Sequence, residues 1–155
     1  MQTLSKKTKY GLRALLALAK RRHQGLMPIA ELAKQEGIPK KFLECILLEL
    51  KNTGILQSRK GKGGGYLLRK LPEAITLGDV IRALDGPLAA LPCVSQMAHR
   101  PCDECGDEKT CGLRAVMQEV RDATATILDG TTIADVVRRT ELLEQEQHRV
   151  LVYAI

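Results

Sequence analysis

Four of the five cysteines lie between positions 93 and 111: Cys93, then the pair Cys102 and Cys105 with two residues between them, then Cys111. Soft thiolates gathered in this way bind iron in iron–sulfur clusters or zinc in a tetrahedral site. Left unligated, such thiols support a reversible redox switch. The steps of nine, three and six residues contain one C-x2-C pair rather than the two compact pairs common in structural zinc sites. An iron–sulfur cluster is therefore the first reading, with zinc and free thiols as alternatives. His99 lies inside the same stretch as an alternative ligand. Cys111 falls at the predicted start of a long helix, where unpaired N–H groups and the helix dipole favour a thiolate. Cys45 stands apart in another predicted helix, as a small side chain near a partner or, alternatively, an oxidation sensor.

Cys93, Cys102 and Cys105 sit in residues 87–110, with Cys111 directly after them; this segment has no sustained periodicity and contains Pro87, Pro92, Pro101 and Gly106. A loop of that length inside a compact chain is uncommon unless it is functional or disordered, and its thiols favour a sensor loop. The helix that follows is predicted from near Thr110 to Asp129. Its stripe of Leu113, Val116, Met117, Val120, Ala123, Ile127 and Leu128 would extend roughly 30 Å, at 1.5 Å per residue. So long an apolar stripe exceeds what the rest of the chain can cover, which points to a twofold copy and makes this the dimerisation helix. Thr132 with Asp135 can cap a short helix carrying Ile133, Val136 and Val137 inward, to about residue 139. Residues 140–155 form a polar tail: a solvated helix or frayed segment over 140–149, then Leu151–Ile155, which would dock on a neighbour or stay disordered.

Residues 1–86 must supply whatever the thiols control. Ser5 can cap a first helix with Leu12, Leu15, Leu16 and Ala19 on its apolar face, ending before Gly25. Pro28 at a first helical position opens a second helix, Gly37 permits a turn, and Pro39 opens a third with Leu43, Ile46, Leu47 and Leu50 at helical spacing. That packing turns Lys40, Lys41, Glu44, Cys45 and Leu48 toward solvent or a partner. Leu56 and Ser58, then Tyr66 and Leu68, alternate as a two-stranded hairpin around the run Arg59-Lys-Gly-Lys-Gly-Gly-Gly. Helix-turn-helix plus hairpin reads as a winged domain, and Thr76 with Asp79 caps one more helix that stops at Asp85-Gly86-Pro87. The fold class is thus mainly α: a winged helix-turn-helix with a long C-terminal dimerisation helix.

The net charge of +6 hides an asymmetry. Residues 1–70 hold sixteen Lys or Arg against four Glu, while residues 71–155 hold eight against fourteen acids. A basic half beside an acidic half separates a polyanion surface from a part with another task. Lys6, Lys7, Lys9, Arg59, Lys60 and Lys62 suit phosphate contacts, and Lys40, Lys41 and Glu44 suit base-edge readout. Double-stranded promoter DNA is the expected partner. With no Trp, one Phe and no apolar run of about 18 residues, a membrane partner is not expected, and the N-terminus lacks a secretory pattern, so the expected location is cytoplasmic, on the nucleoid when DNA-bound. A protein-interaction module using the basic half is the alternative of another class. Catalysis is not expected, because no histidine stands at a general-base spacing from the thiols and no phosphate-binding glycine motif follows a predicted parallel strand.

Tyr10-Gly-Leu-Arg-Ala, Phe42-Leu-Glu-Cys-Ile-Leu-Leu-Glu-Leu-Lys-Asn-Thr-Gly54 and Arg59-Lys-Gly-Lys-Gly-Gly-Gly-Tyr-Leu-Leu68 closely resemble the Rrf2 family of bacterial transcription regulators, which includes IscR, NsrR and CymR. The resemblance runs from Leu4 to about Val137, through Thr76-Leu-Gly-Asp79 and Thr132-Ile-Ala-Asp135. It implies a winged-helix homodimer acting as repressor or dual regulator. The segment around Lys40 and Glu44 would lie in the major groove, and Arg59 would reach the minor groove. By the same resemblance Cys93, Cys105 and Cys111 match the three cysteines of the cluster-binding members, for a [2Fe–2S] or [4Fe–4S] cluster. Arg114 stands where IscR-like proteins carry a histidine. The fourth ligand is then Cys102, His99, an acid such as Asp103, or a residue of the second subunit.

Overall fold

A computed structural model describes residues 4–153, without the side chains of 150–153. The expectation for Leu151–Ile155 as a docking or disordered end falls outside the described residues and side chains. Helix α1 (Lys6–Lys20) starts at Ser5, whose hydroxyl accepts from the Thr8 N–H. Its buried face is Thr8, Gly11, Ala14, Leu15, Ala17 and Leu18, with Leu12, Leu16 and Ala19 half-buried beside it. The inward face is therefore rotated from the leucine-centred face read in the sequence. Close packing explains the small residues: a Cβ on Gly11 would stand 2.4 Å from Leu84 Cδ1 and 3.3 Å from Ile46 Cγ2.

The helix-turn-helix follows as α2 (Ile29–Glu36) and α3 (Lys40–Asn52). Pro28 and Pro39 each stand one place before the first helical residue, in extended backbone, with carbonyls that accept from Leu32 and Leu43 N–H at 3.0 and 2.9 Å. Gly37 takes the left-handed conformation at φ 61°, and Ile38 N–H then bonds back to the Ala33 carbonyl at 2.9 Å. Leu32, Leu43, Ile46, Leu47 and Leu50 are fully buried, in a core that is almost wholly aliphatic. The wing is the antiparallel pair β1 (Leu56–Arg59) and β2 (Gly65–Leu68), with Leu56 opposite Leu68 and Ser58 opposite Tyr66. Met27 adds a rung that periodicity did not reveal, exchanging two 2.9 Å hydrogen bonds with Tyr66.

Beyond the wing, Thr76 and Asp79 form the expected capping box of α4 (Leu77–Asp85), which buries Val80, Ile81 and Leu84. Two short 3-10 turns, Pro92–Val94 and Glu108–Thr110, are the regular pieces of the loop before α5 (Gly112–Asp129). Thr132 and Asp135 cap α6 (Ile133–Tyr153) through bonds of 3.0 and 3.1 Å between side chain and backbone. This helix is not short. It continues unbroken through the segment read as a polar tail, because residues 140–149 contain no Gly or Pro and are rich in helix-forming Glu, Leu and Gln. Lys20 of α1 lies 4.0 Å from Glu144 along that extension. Among the described residues, no helix is long and apolar enough to cross a membrane.

A joint fastens the long helices to the winged half. Leu77 N–H bonds to the Thr131 carbonyl at 2.9 Å, Ile133 N–H to the Ile75 carbonyl at 2.8 Å, and Arg82 grips Asp129 with two hydrogen bonds of 2.6 and 2.8 Å. The Arg82 guanidinium holds the Asp129 carboxyl below the usual carboxylate range. A depressed folded-state pKa stabilises the protein above the unfolded value and loses that contribution as the pH falls through the folded one. Urea titrations should therefore find Asp129→Asn less stable than wild type at pH 7, with the gap closing toward pH 3. The wing offers a second test. A Cβ on Gly65 would lie 2.4 Å from the Met27 carbonyl oxygen and 2.9 Å from Pro28 N, whereas one on Gly106 meets nothing within 4 Å. In thermal unfolding, Gly65→Ala should cost about 1–3 kcal/mol by overpacking against backbone, and Gly106→Ala should stay within about 0.5 kcal/mol of wild type.

Candidate functional site

The residues expected to bind DNA or a metal fall into two groups. On the helix-turn-helix and wing, Lys40, Lys41, Glu44, Cys45 and Leu48 of α3 and Arg59, Lys60 and Lys62 of the hairpin are all exposed. Among the described residues none of the charged members has an ion-pair partner, although the protein pairs Arg13, Arg21, Arg22 and Arg82 elsewhere. Unpaired cations gathered in one region raise the positive potential there. The three lysines of α1 differ. Lys9 is exposed, Lys6 stands 5.6 Å from the Tyr10 ring centroid, and Lys7 is held at 3.0 Å by Glu49 of α3.

The wing geometry follows from its glycines. Gly61 and Gly63 have φ of 93° and 75°, so the chain reverses within Lys60–Gly64 and lifts Lys60 and Lys62 clear of the core. Gly64 N–H closes the turn on the Gly61 carbonyl at 2.9 Å.

The second group surrounds the start of α5. Cys111 is the N-cap residue, and its sulfur accepts from the Arg114 N–H at 3.4 Å. That backbone hydrogen bond pulls the Cys111 thiol below its ordinary range. Cys105 donates to Cys111 across 3.9 Å, and its hydrogen bonds to Cys102 and then Cys111 push its own thiol up to about 12. The pair is therefore asymmetric: Cys111 ionises first, and Cys105 keeps the proton. Cys93 is buried in the Pro92–Val94 turn, where its carbonyl accepts from Arg114 Nε at 3.3 Å and the neighbouring Val94 carbonyl accepts from Arg121. His99 Nε2 lies 3.2 Å from Glu108 Oε2, which is also 3.6 Å from Arg114 Nε.

The sequence-predicted ligands are thus brought together only in part. Cys105 and Cys111 touch, Cys102 adjoins Cys105, and Cys93 and His99 are tied to the same turn through Arg114 and Glu108. Among the described residues, no three Cys, His, Asp or Glu side chains converge on a single metal-ion position. The donor set nevertheless suits a thiophilic cation. Two sulfurs 3.9 Å apart match two corners of a tetrahedral thiolate site, which metal–sulfur bonds of about 2.3 Å place roughly 3.8 Å apart. Glu108 Oε1 is a buried carboxylate oxygen without a hydrogen-bond partner, which suits a cation nearby. Sequence reasoning missed Glu108 and Arg121 beside these thiols and met Arg114 only as a departure from the family pattern. The signal for Glu108 was its position three residues before Cys111, the spacing of one helical turn.

The stripe on α5 is left open. Leu113, Val116, Val120 and Ile127 are 65, 56, 49 and 66% exposed, and no residue of this 18-residue helix is buried. Met117 and Leu128, also expected on the dimerising face, are half-buried.

Comparison with known proteins accords with this arrangement. Residues 4–139 match the model of the Rrf2 family, described as an iron-dependent transcriptional regulator. An Rrf2-like HTH-type transcriptional regulator of Rhodobacter capsulatus is 41% identical over 137 residues, covering 86% of this chain and 91% of the relative. The solved structure of CymR, the global cysteine regulator of Bacillus subtilis, superposes with a TM-score of 0.72 at 31% identity, covering 90% of this chain and 98% of that one. That of IscR from T. potens gives 0.70 at 25% identity, covering 90% and 88%. By its match over most of its length, and with relatives that are regulators rather than enzymes, this chain belongs to the Rrf2 family of winged-helix transcription regulators.

Proposed function

We propose that the protein is a homodimeric regulator of the bacterial cytoplasm, controlled at its cysteine centre by an iron–sulfur cluster, that binds a pseudopalindromic promoter site. The observation that carries this reading is the state of α5. Its first turn is capped by Cys111, and its apolar stripe is exposed along its length. The segment offered to a second copy therefore begins at the thiols. Two recognition helices related by a twofold axis would enter successive major grooves about 34–36 Å apart. Lys40, Lys41 and Glu44 would meet base edges, and Lys6, Lys9, Arg59, Lys60 and Lys62 phosphates, with Lys7 available on release from Glu49.

Cys93, Cys105 and Cys111 would hold the cluster, with Cys102, His99 or Glu108 as the further donor. When bound, such a group supplies an iron centre that oxidants and small ligands alter. The chain's own residues link that event to DNA. Arg114 and Arg121 tie the Cys93–Val94 carbonyls to α5, and at the far end of α5 Asp129 is clamped by Arg82 of α4. Displacing the cysteine loop thus moves a helix whose other end is fastened to the winged half. This is allosteric control if the two ligation states differ in DNA affinity.

A second reading is favoured by the Cys105–Cys111 contact. Those thiols would form a disulfide, with two protons and two electrons passing to an oxidant such as peroxide, and the switch would need no metal. Zinc held by the same thiols would be a structural variant.

Anaerobic purification followed by visible absorption, iron and sulfide analysis and DNA titration at fixed salt separates these readings. The expected result is a coloured protein whose iron is lost in Cys111→Ser and whose operator affinity changes on iron removal. A colourless, iron-free protein with unchanged DNA binding after reconstitution overturns cluster control. Equimolar zinc, or an affinity that follows oxidant alone, selects one of the other two. Dimerisation has its own test: Val120→Glu with Ile127→Glu should convert a dimer to a folded monomer in sedimentation and lower operator affinity at least tenfold. Retention of the dimer would mean that another face holds the copies together.

A further inference from the structure

The recognition helix carries more than charge on its open face. Leu43, Ile46, Leu47 and Leu50 of α3 are fully buried, and the opposite face exposes Lys41, Glu44, Cys45 and Leu48 at spacings of three, one and three residues. Those intervals put the four side chains on one stripe. Leu48 is 54% exposed, and Cys45, one helical turn before it, is an exposed free thiol. A single exposed leucine on a protein surface needs no explanation. This one continues the stripe of a helix whose Lys40 and Lys41 lack ion-pair partners among the described residues, next to a wing whose Arg59, Lys60 and Lys62 also lack them. That charge suits DNA rather than a second protein.

Along the axis, Lys41 to Leu48 spans about 10 Å at 1.5 Å per residue, and the major groove is about 12 Å wide. Leu48 is therefore within the reach of a groove that accepts Lys41. The apolar group on the groove's base edges is the C5-methyl of thymine; the other features are hydrogen-bond donors and acceptors. Neither a leucine nor a weakly polar thiol can satisfy those polar features, and an unpaired base edge pressed against them would lose its hydration.

Building on the DNA-binding reading above, we propose that Leu48 and Cys45 form an apolar step on the recognition helix that reads thymine methyl groups in the operator. Lys41 and Glu44 then hold the polar edges of neighbouring base pairs, and the apolar step adds sequence preference where cations alone would bind any duplex.

The test uses the full-length protein, prepared anaerobically, and an operator enriched from a random duplex pool. Each thymine is replaced in turn by uracil, which removes only the methyl group. Uracil at one or two positions of each half-site should weaken binding about fourfold, the effect of one buried methyl or methylene group. In Leu48→Ala or Cys45→Ser, both at exposed positions, that penalty should fall below about twofold at one of these positions while the penalty at contacts made elsewhere is unchanged. Circular dichroism and thermal melting verify that both variants fold as wild type. Uracil-insensitive binding to an enriched operator, or an undiminished penalty in both variants, overturns this inference and leaves the DNA-regulator reading intact. A pool that yields no enriched sequence overturns both. A loss of self-association in Leu48→Ala with no uracil effect overturns the inference in favour of a contact between copies.

Discussion

The structure depends on the joint between its two halves. The starts of α4 and α6 lie side by side, held by the Leu77–Thr131 and Ile133–Ile75 backbone bonds, and each start carries its own Thr–Asp capping arrangement. Ile75 and Ile133 are fully buried at this seam, so it is sealed by apolar contact as well as by hydrogen bonds. Arg82 and Asp129 then lock the last turn of α5 to α4 by a two-pronged pair, a geometry that specifies direction more strongly than a single ion contact. Gly78 leaves the space for it, since a Cβ there would fall 1.9 Å from Asp129 Oδ1. With the seam fixed, α5 is a lever fastened at its C-terminal end.

The other end of that lever is held differently. At the cysteines the ties are arginine bonds to the carbonyls of the buried Cys93 and Val94 and a sulfur cap at the half-buried Cys111. Of these, the sulfur cap is the one that involves an atom whose charge depends on ligation and redox state. The two ends of α5 are thus held by different means: a two-pronged ion pair beside an apolar seam at one end, and hydrogen bonds that include a cysteine sulfur at the other. Between them, Leu113, Val116, Val120 and Ile127 leave an apolar stripe uncovered along the helix.

Charge follows the same division of labour. Ion pairs support the scaffold at Arg13–Glu36, Arg21–Glu31, Arg22–Glu73 and Arg82–Asp129, while the cations of the recognition helix and wing have no such partner among the described residues. Lys7 bridges the two classes, since it is paired with Glu49 on the recognition helix itself. Partner binding that draws Lys7 to a phosphate would free Glu49 in return.

What was legible in the sequence was what local physics decides. Ser5, Thr76 and Thr132 announce helix starts because a hydroxyl near free N–H groups caps them whatever lies beyond. Gly37 marks the turn because it relieves a left-handed backbone, and the spacing of Leu43, Ile46, Leu47 and Leu50 yields one buried face of α3. The cysteine spacing likewise showed thiols gathered before and at the start of α5, and the charge asymmetry put the excess of cations on the winged half. Tertiary structure alone decided that Pro28 and Pro39 precede their helices, that α1 turns Gly11 and Ala14 inward, and that Met27 pairs with the wing. It also decided that Cys105 meets Cys111 while Cys93 is reached through Arg114, and that Glu108 leaves one carboxylate oxygen buried without a partner. Those outcomes depend on which surfaces meet across long stretches of chain. Periodicity and spacing record a residue's neighbours along the chain, not the groups that packing brings against it.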